Sequence, residues 1–286
     1  MKNKLILVEG LPGVGKTTIS KTIKQIFHKQ NIKSKLFLEG EIDQPADYES
    51  VAFFNEKEYE EIIKKHPENS EIIKKITQKN KKGYLLNYKE EIDYFIREEN
   101  KNIFEKIKEK DIYELPLELH QELILEKWDE FSKKIKNEDE VYIIECCFIQ
   151  NPITYSFIRE GESEQNFLKY IKKIEDKIIS SNPLLIYVEQ DDYEKSFKKI
   201  VEERPTEWKN FFIDYYTNQG YGKESNKKDL KGAIEVLKKR QKIEQKILND
   251  LKIKYKVINN TNYSISKTEK MLEKLILNSN KITKND

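Results

Sequence analysis

Short apolar runs and helical spacing of apolar residues alternate along the chain. Residues 5–8 form an apolar run that ends just before Glu9-Gly10, and further strand-like segments lie at 35–38, 141–144, 184–188 and 254–258. After the first run the spacing changes, and Ile19, Ile23 and Ile26 fall on one face of a helix. Strands that alternate with helices predict an α/β fold around a mostly parallel sheet.

The region between the second and third strand segments has a different pattern. Residues 48–119 are rich in Lys and Glu with helical spacing, and a further helix is expected over 115–135, with Pro116 in its first turn. We therefore predict a helical insertion at about 48–135. Because no Ser/Gly/Pro-rich linker interrupts the chain, we expect one domain over residues 1–286.

Charge and composition narrow the class of protein. Lys and Arg number 53 against 51 Asp and Glu, which gives a net charge of +2. This balance offers no electrostatic case for a nucleic acid or membrane partner. The sequence has no signal-peptide pattern and no apolar run long enough for a membrane span, and the adjacent Cys146 and Cys147 favour a reduced state. We expect a cytoplasmic enzyme. The sequence does not determine the oligomeric state, and a homodimer is one arrangement that it leaves open.

The strongest motif lies between the first strand and the first helix. Residues 10–17, GLPGVGKT, fit the phosphate-loop pattern G-x-x-x-x-G-K-[ST]. The glycines let backbone N–H groups face phosphate oxygens, the lysine reaches the β- and γ-phosphates, and the threonine hydroxyl is a magnesium ligand. The predicted cofactors are ATP or another nucleoside triphosphate and Mg²⁺, and the predicted nucleotide-binding residues are Gly10, Pro12, Gly13, Val14, Gly15, Lys16, Thr17 and Thr18.

Acidic residues follow three of the predicted strands, where ligands of open α/β sheets bind. Glu145 ends the apolar run at 141–144 and is predicted to hold Mg²⁺ together with Thr17, directly or through water. Glu39 is a candidate base that accepts the proton of an attacking hydroxyl, with Asp43 as the alternative. Acids also follow strands for a simpler reason, because the loops there are solvated, and Glu39 is open to that interpretation.

These segments together resemble the thymidylate kinase and deoxyribonucleoside kinase group of P-loop kinases. Residues 8–18 are similar to the first strand and phosphate loop of that group, 38–40 to its second-strand motif, and 184–204 to its fourth strand, helix and lid. The resemblance implies a three-layer P-loop NTPase fold with five strands in the order 2-3-1-4-5. It also implies a lid at about 190–225, with Arg204 closing over ATP. A surface ion pair with its neighbouring glutamates is the other interpretation of Arg204.

The sequence departs from that group where the acceptor would bind. Cys146 stands where the group has an arginine after the third-strand acid, and the whole chain has four arginines. A kinase for a nucleoside monophosphate usually holds the second phosphate with forked arginines. The loop after Glu39 instead carries Glu41, Asp43 and Asp47. We therefore predict an acceptor that is not a phosphate monoester, such as a nucleoside, a sugar or an amino-compound.

The sequence thus predicts a P-loop kinase for a small hydroxylated acceptor. Its predicted catalytic residues are Lys16, Glu39, Glu145 and Arg204, and its predicted metal ligands are Thr17 and Glu145. A second hypothesis is a nucleotide-binding regulatory or switch ATPase that uses the helical insertion as a surface for a partner.

Overall fold

Strands and helices alternate through most of the chain, as the apolar pattern predicts. The computed structural model describes residues 3–280, apart from the side chains at 265 and 277–280. The strands are β1 Leu5–Gly10, β2 Ser34–Phe37, β3 Val51–Phe54, β4 Thr77–Lys79, β5 Tyr84–Asn87, β6 Val141–Glu145, β7 Leu184–Glu189 and β8 Lys254–Asn259. The α-helices are α1 Lys16–Lys29, α2 Glu56–Lys65, α3 Ser70–Lys75, α4 Ile92–Phe95, α5 Lys101–Lys108, α6 Leu117–Lys136, α7 Gln150–Ile153, α8 Glu164–Ile178, α9 Tyr193–Glu203, α10 Thr206–Thr217, α11 Gly220–Glu224, α12 Asp229–Asp250 and α13 Ile265–Asn280.

Five of the strands form one parallel sheet in the order β2-β6-β1-β7-β8. Counted along this sheet alone, the order is 2-3-1-4-5, so the predicted α/β fold and strand order are confirmed. The register pairs Val8 of β1 with Glu145 of β6, and Gly10 with Val188 of β7. The carboxyl ends of the central strands therefore meet at one edge, where the predicted site residues lie.

The central strands are apolar because both of their faces are covered. Every residue of β1 and β6 is buried, as is typical of parallel strands between helices. On one flank, α1 packs against β1, β2, β6 and α13, and elsewhere α12 packs against α8 and α10. Trp128 of α6 is fully buried, with ring centroids 6.1 Å from Phe131 and 6.4 Å from Phe148.

The chain divides into two compact units, Met1–Glu39 with Leu125–Asp286, and Gly40–Ile124. The predicted insertion at about 48–135 overlaps the second unit. That unit was expected to be helical but also contains a three-stranded antiparallel sheet in the order β3-β5-β4. Its strands have three or four residues each, too few to show an alternating pattern among the surrounding Lys and Glu. A separate core fills the unit, with Ala52, Ile73, Leu86, Phe95 and Ile107 fully buried.

The long helices are amphipathic and carry charge along their length. The two longest are α12 with 22 residues and α6 with 20. Within residues 3–280, no helix combines the length and apolar character needed to cross a membrane. The cytoplasmic location expected from the sequence stays a prediction.

Trp128 offers a test of how the sheet and α6 pack. We expect Trp128→Ala to lower the free energy of unfolding by about 3–5 kcal/mol, because it leaves a cavity in a close-packed core. Trp128→Phe keeps an aromatic ring there and should cost about 1.5 kcal/mol or less. Urea unfolding followed by circular dichroism measures both. A Trp128→Ala protein as stable as the wild type would contradict this packing.

Candidate active site at the carboxyl ends of the strands

The loop between β1 and α1 has the backbone shape that its glycines permit. Gly13 and Gly15 adopt positive φ angles of 82° and 97°. A Cβ atom on Gly10 would lie 2.3 Å from the carbonyl oxygen of Val188, and one on Gly15 would lie 2.5 Å from Nδ2 of Asn260. Side chains at these positions would collide with Val188 and Asn260, so the predicted phosphate loop needs glycine there.

Side chains from outside the loop hold its carbonyl groups. Asn260 Nδ2 donates to the carbonyl of Val14 at 2.8 Å, Tyr263 Oη donates to that of Gly13 at 3.1 Å, and Tyr193 Oη donates to that of Pro12 at 3.1 Å. The first turn of a helix leaves its N–H groups without intrahelical acceptors, and no described side chain caps the start of α1 at Gly15. The loop therefore has the arrangement of an anion-binding helix N-terminus.

Lys16, Thr17 and Glu145 meet at the start of α1. Lys16 is buried, and its Nζ donates to the carbonyl oxygen of Leu11 at 3.0 Å. Thr17 Oγ1 donates to Glu145 Oε1 at 2.8 Å, and Glu145 Oε2 is buried with no hydrogen-bond partner among the described residues. Burial raises the pKa of Glu145 above its usual value.

The groups at the start of α1 match those that a nucleotide and its metal need. Mg²⁺ prefers oxygen ligands, and a hydroxyl beside a carboxylate with a free oxygen supplies them. The amides around Gly13 and Gly15, with Lys16, suit a chain of phosphates. The donor set therefore fits the predicted Mg²⁺ and triphosphate.

Glu9 has a positioning role that its place at a strand end did not reveal. Its carboxyl group is completely buried and accepts the backbone N–H groups of Phe148 at 2.7 Å and Gln150 at 2.9 Å. Burial raises the pKa of Glu9 to about 7, against the opposing effect of those hydrogen bonds. Glu9 thereby fixes the loop after β6, which turns sharply at Cys146, where φ is 70°.

That loop presents Gln150 to Glu39. Gln150 Nε2 donates to Glu39 Oε1 at 2.7 Å, and Cys146 Sγ lies 3.4 Å from Glu39 Oε2. One ligand atom from each of Glu39, Glu145 and Cys146 lies within 4.8 Å of the others. Glu39 itself is exposed, while Gln150 is buried and its Oε1 has no partner in the described part of the chain. The structure thus places the two predicted catalytic acids side by side.

Arg240 of α12 also lines the site, although it belongs to none of the motifs in the sequence. Its guanidinium is fully buried, with Nε donating to Glu244 Oε1 at 2.7 Å and Nη1 to Thr154 Oγ1 at 3.1 Å. Nη2 has no hydrogen-bond partner among residues 3–280. An arginine four residues before a glutamate in a Lys-rich helix has the pattern of a surface ion pair, so its burial could not be predicted from the local sequence.

A single cleft of about 450 Å³ brings these groups together. Its walls include Lys16, Thr17, Glu39, Glu145 and Arg204, which are all of the predicted catalytic and metal-binding residues. Of the other predicted nucleotide-binding residues, Pro12, Gly13, Gly15 and Thr18 also line the cleft, whereas Gly10 and Val14 are buried and do not line it.

Arg204 and Asp43 differ from the other candidates. Arg204 is exposed just after α9, with its guanidinium carbon 5.7 Å from the centre of the Trp208 ring. Asp43, the alternative base, belongs to the Gly40–Ile124 unit.

A family model supports the phosphate-loop interpretation of the first part of the chain. Residues 4–84 match the model described as Chromatin associated protein KTI12, a range that includes β1, the phosphate loop, α1, β2 and residues 40–84 of the second unit. That family contains a P-loop and is related to kinase-like P-loop NTPases. The match spans well under half of the chain. No curated protein matches the chain. The resemblance to the thymidylate kinase and deoxyribonucleoside kinase group stays a prediction.

The raised pKa of Glu9 leads to a pH-dependent difference in stability. The folded protein binds a proton at Glu9 more tightly than the unfolded chain does. The stabilisation of the fold by this proton is therefore complete below pH 4.5, and it is lost as the pH rises through about 7. Glu9→Gln removes the titration. We expect the stability of the variant relative to the wild type to increase by about 2–3 kcal/mol between about pH 5 and pH 8.

Denaturant unfolding of both proteins at several pH values measures this change, and the difference between them cancels the titration of all other groups. A difference that does not vary with pH would show that Glu9 has the same pKa in the folded and unfolded states.

Proposed function

We propose that this protein is an ATP- and Mg²⁺-dependent phosphotransferase that acts on a small hydroxylated acceptor. The observation that carries the proposal is the hydrogen bond between Thr17 and Glu145 beside a glycine loop and Lys16. A hydroxyl and an acid joined in this way at the start of α1 are the ligand pair that P-loop enzymes use for magnesium. The neighbouring Glu39 adds a carboxylate that simple nucleotide binding does not need.

Each residue has a defined task in this proposal. The first-turn amides of α1 and the Lys16 ammonium bind phosphate oxygens, and Thr17 and Glu145 would hold Mg²⁺. When bound, the metal ion neutralises charge on the phosphates. Gln150 holds the Glu39 carboxylate by its hydrogen bond. Glu39 then orients the acceptor hydroxyl and accepts its proton.

The acceptor proposed from the sequence is a nucleoside, a sugar or an amino-compound. Two residues of the cleft beside the proposed metal ligands, Glu39 and Gln150, have oxygens that can accept hydrogen bonds from hydroxyl or ammonium groups of a substrate. This composition supports an acceptor that donates several hydrogen bonds.

A nucleotide-binding switch is the second candidate function. The observation that favours it is the family model over residues 4–84, whose description names a chromatin-associated protein rather than an enzyme. In this case nucleotide binding at the phosphate loop would alter a surface for a partner, and the Gly40–Ile124 unit would supply that surface.

The two functions differ in whether an acceptor stimulates ATP consumption. We expect turnover of ATP to rise when one member of a panel of nucleosides, sugars and amino-compounds is added. Lys16→Ala should lower that turnover by about 100-fold or more, because the lysine stabilises charge on the transferred group. A coupled assay for ADP measures both.

The matched control is Lys29→Ala, which removes an exposed lysine from the other end of the same helix. It should leave turnover unchanged. ATP binding without turnover under any acceptor would contradict the kinase and favour the switch.

A further inference from the structure

The Arg240 guanidinium has a donor that the protein does not use. Its Nε is taken by Glu244, and its Nη1 lies within hydrogen-bond distance of Thr154 Oγ1 at 3.1 Å and Tyr216 Oη at 3.4 Å. Nη2 has no acceptor in the described part of the chain although the side chain is fully buried. A buried N–H group without an acceptor costs free energy, so a ligand oxygen is the natural partner for this one.

Neither carboxylate oxygen of Glu244 accepts a hydrogen bond from Arg240 Nη2 in this structure. Its Oε1 accepts from Arg240 Nε at 2.7 Å, and its Oε2 accepts from Tyr187 Oη on β7 at 2.6 Å. Both residues of the ion pair are fully buried. The pair therefore holds the guanidinium in a fixed orientation between α12 and β7, and Nη2 has no hydrogen-bond partner among the described residues.

Arg240 lies in the same cleft as the phosphate-loop lysine. The walls that it shares with Lys16 and Thr17 also include Thr154 and Tyr216, which contact its Nη1. A fixed guanidinium in the wall of a cleft that also contains Lys16 is suited to an anionic oxygen, since charge-assisted hydrogen bonds of this kind are strong. By contrast, Arg204 is exposed and lies over Trp208.

We propose that Arg240 Nη2 binds an anionic phosphoryl oxygen of the ligand in this cleft. The proposal rests on the proposed function, because that function supplies a phosphate-bearing ligand. This oxygen belongs either to the terminal phosphate of the nucleotide or to a phosphate group on the acceptor. In the second case the acceptor would be a phosphate monoester, contrary to the expectation from the small number of arginines.

Arg240→Lys tests the contact while keeping a positive charge near Glu244. A single ammonium cannot reproduce the fork that contacts Glu244, Thr154 and a ligand at once. The quantities to compare between this variant and the wild type are the dissociation constants for MgATP, for MgADP, and for orthophosphate in the presence of saturating MgADP, each measured by calorimetry. The loss of one charge-assisted hydrogen bond should weaken the affected ligand by about 10- to 100-fold.

The pattern of losses separates the two sources. Weaker MgATP with unchanged MgADP would assign the contact to the terminal phosphate of the nucleotide. Unchanged nucleotides with weaker orthophosphate would assign it to a phosphate on the acceptor. Affinities within twofold of the wild type for all three ligands would overturn the proposal. Equal weakening of all three would indicate a distorted cleft and would overturn it as well.

Two further proteins keep the test decisive. Arg97→Lys makes the same change at an exposed arginine and should alter none of the three affinities. If Arg240→Lys does not fold, the double variant Arg240→Gln/Glu244→Gln removes both buried charges together, and the same outcomes apply. If the wild type binds neither nucleotide, the proposed function fails. Arg240 is then judged on orthophosphate alone, with lost affinity supporting the contact and unchanged or undetectable wild-type affinity overturning it.

Discussion

A buried carboxyl group at the end of β1 sets the geometry of the cleft. Glu9 has no access to solvent, so its oxygens must find donors within the protein. It finds them in the backbone of the loop after β6, at Phe148 and Gln150. This constraint fixes where α7 begins, and Gln150 at its start then reaches Glu39. A residue on the first strand thus positions an acid that follows the second.

The phosphate loop is supported in a comparable way from behind. Its glycines bring the backbone close to Val188 and Asn260, and the loop carbonyls are bonded by Asn260, Tyr263 and Tyr193. Preorganised N–H groups bind anions without a reorganisation cost, so a loop held in this way would bind a phosphate better than a flexible loop.

The sequence was most informative where one physical requirement selects one residue type. The parallel sheet and the position of the phosphate loop follow from buried apolar runs and from the spacing of the loop glycines, whereas the strand order was implied by the resemblance to the thymidylate kinase and deoxyribonucleoside kinase group. The contacts of Asn260 and Arg240 could not be predicted, because they join segments far apart in sequence. Arg240 was hidden further by its surroundings, since an Arg-Glu pair in a charged helix usually lies in solvent.

The same limit applies to the Gly40–Ile124 unit. Its strands are so short that cross-strand pairing, rather than local propensity, determines them, and the Lys- and Glu-rich composition favours helix at every position nearby. The roles proposed for Glu39, Glu145 and Arg204 stay predictions. They depend on whether a nucleotide occupies the cleft that these residues line.

Hydrogen exchange of the backbone amides tests that occupation directly. MgATP is expected to slow exchange across residues 13–18, because phosphate oxygens would accept the N–H groups of the loop and of the first turn of α1. Slower exchange there, absent in Lys16→Ala, is the result predicted by a nucleotide site at the phosphate loop. Unchanged exchange across this segment at saturating MgATP would contradict it.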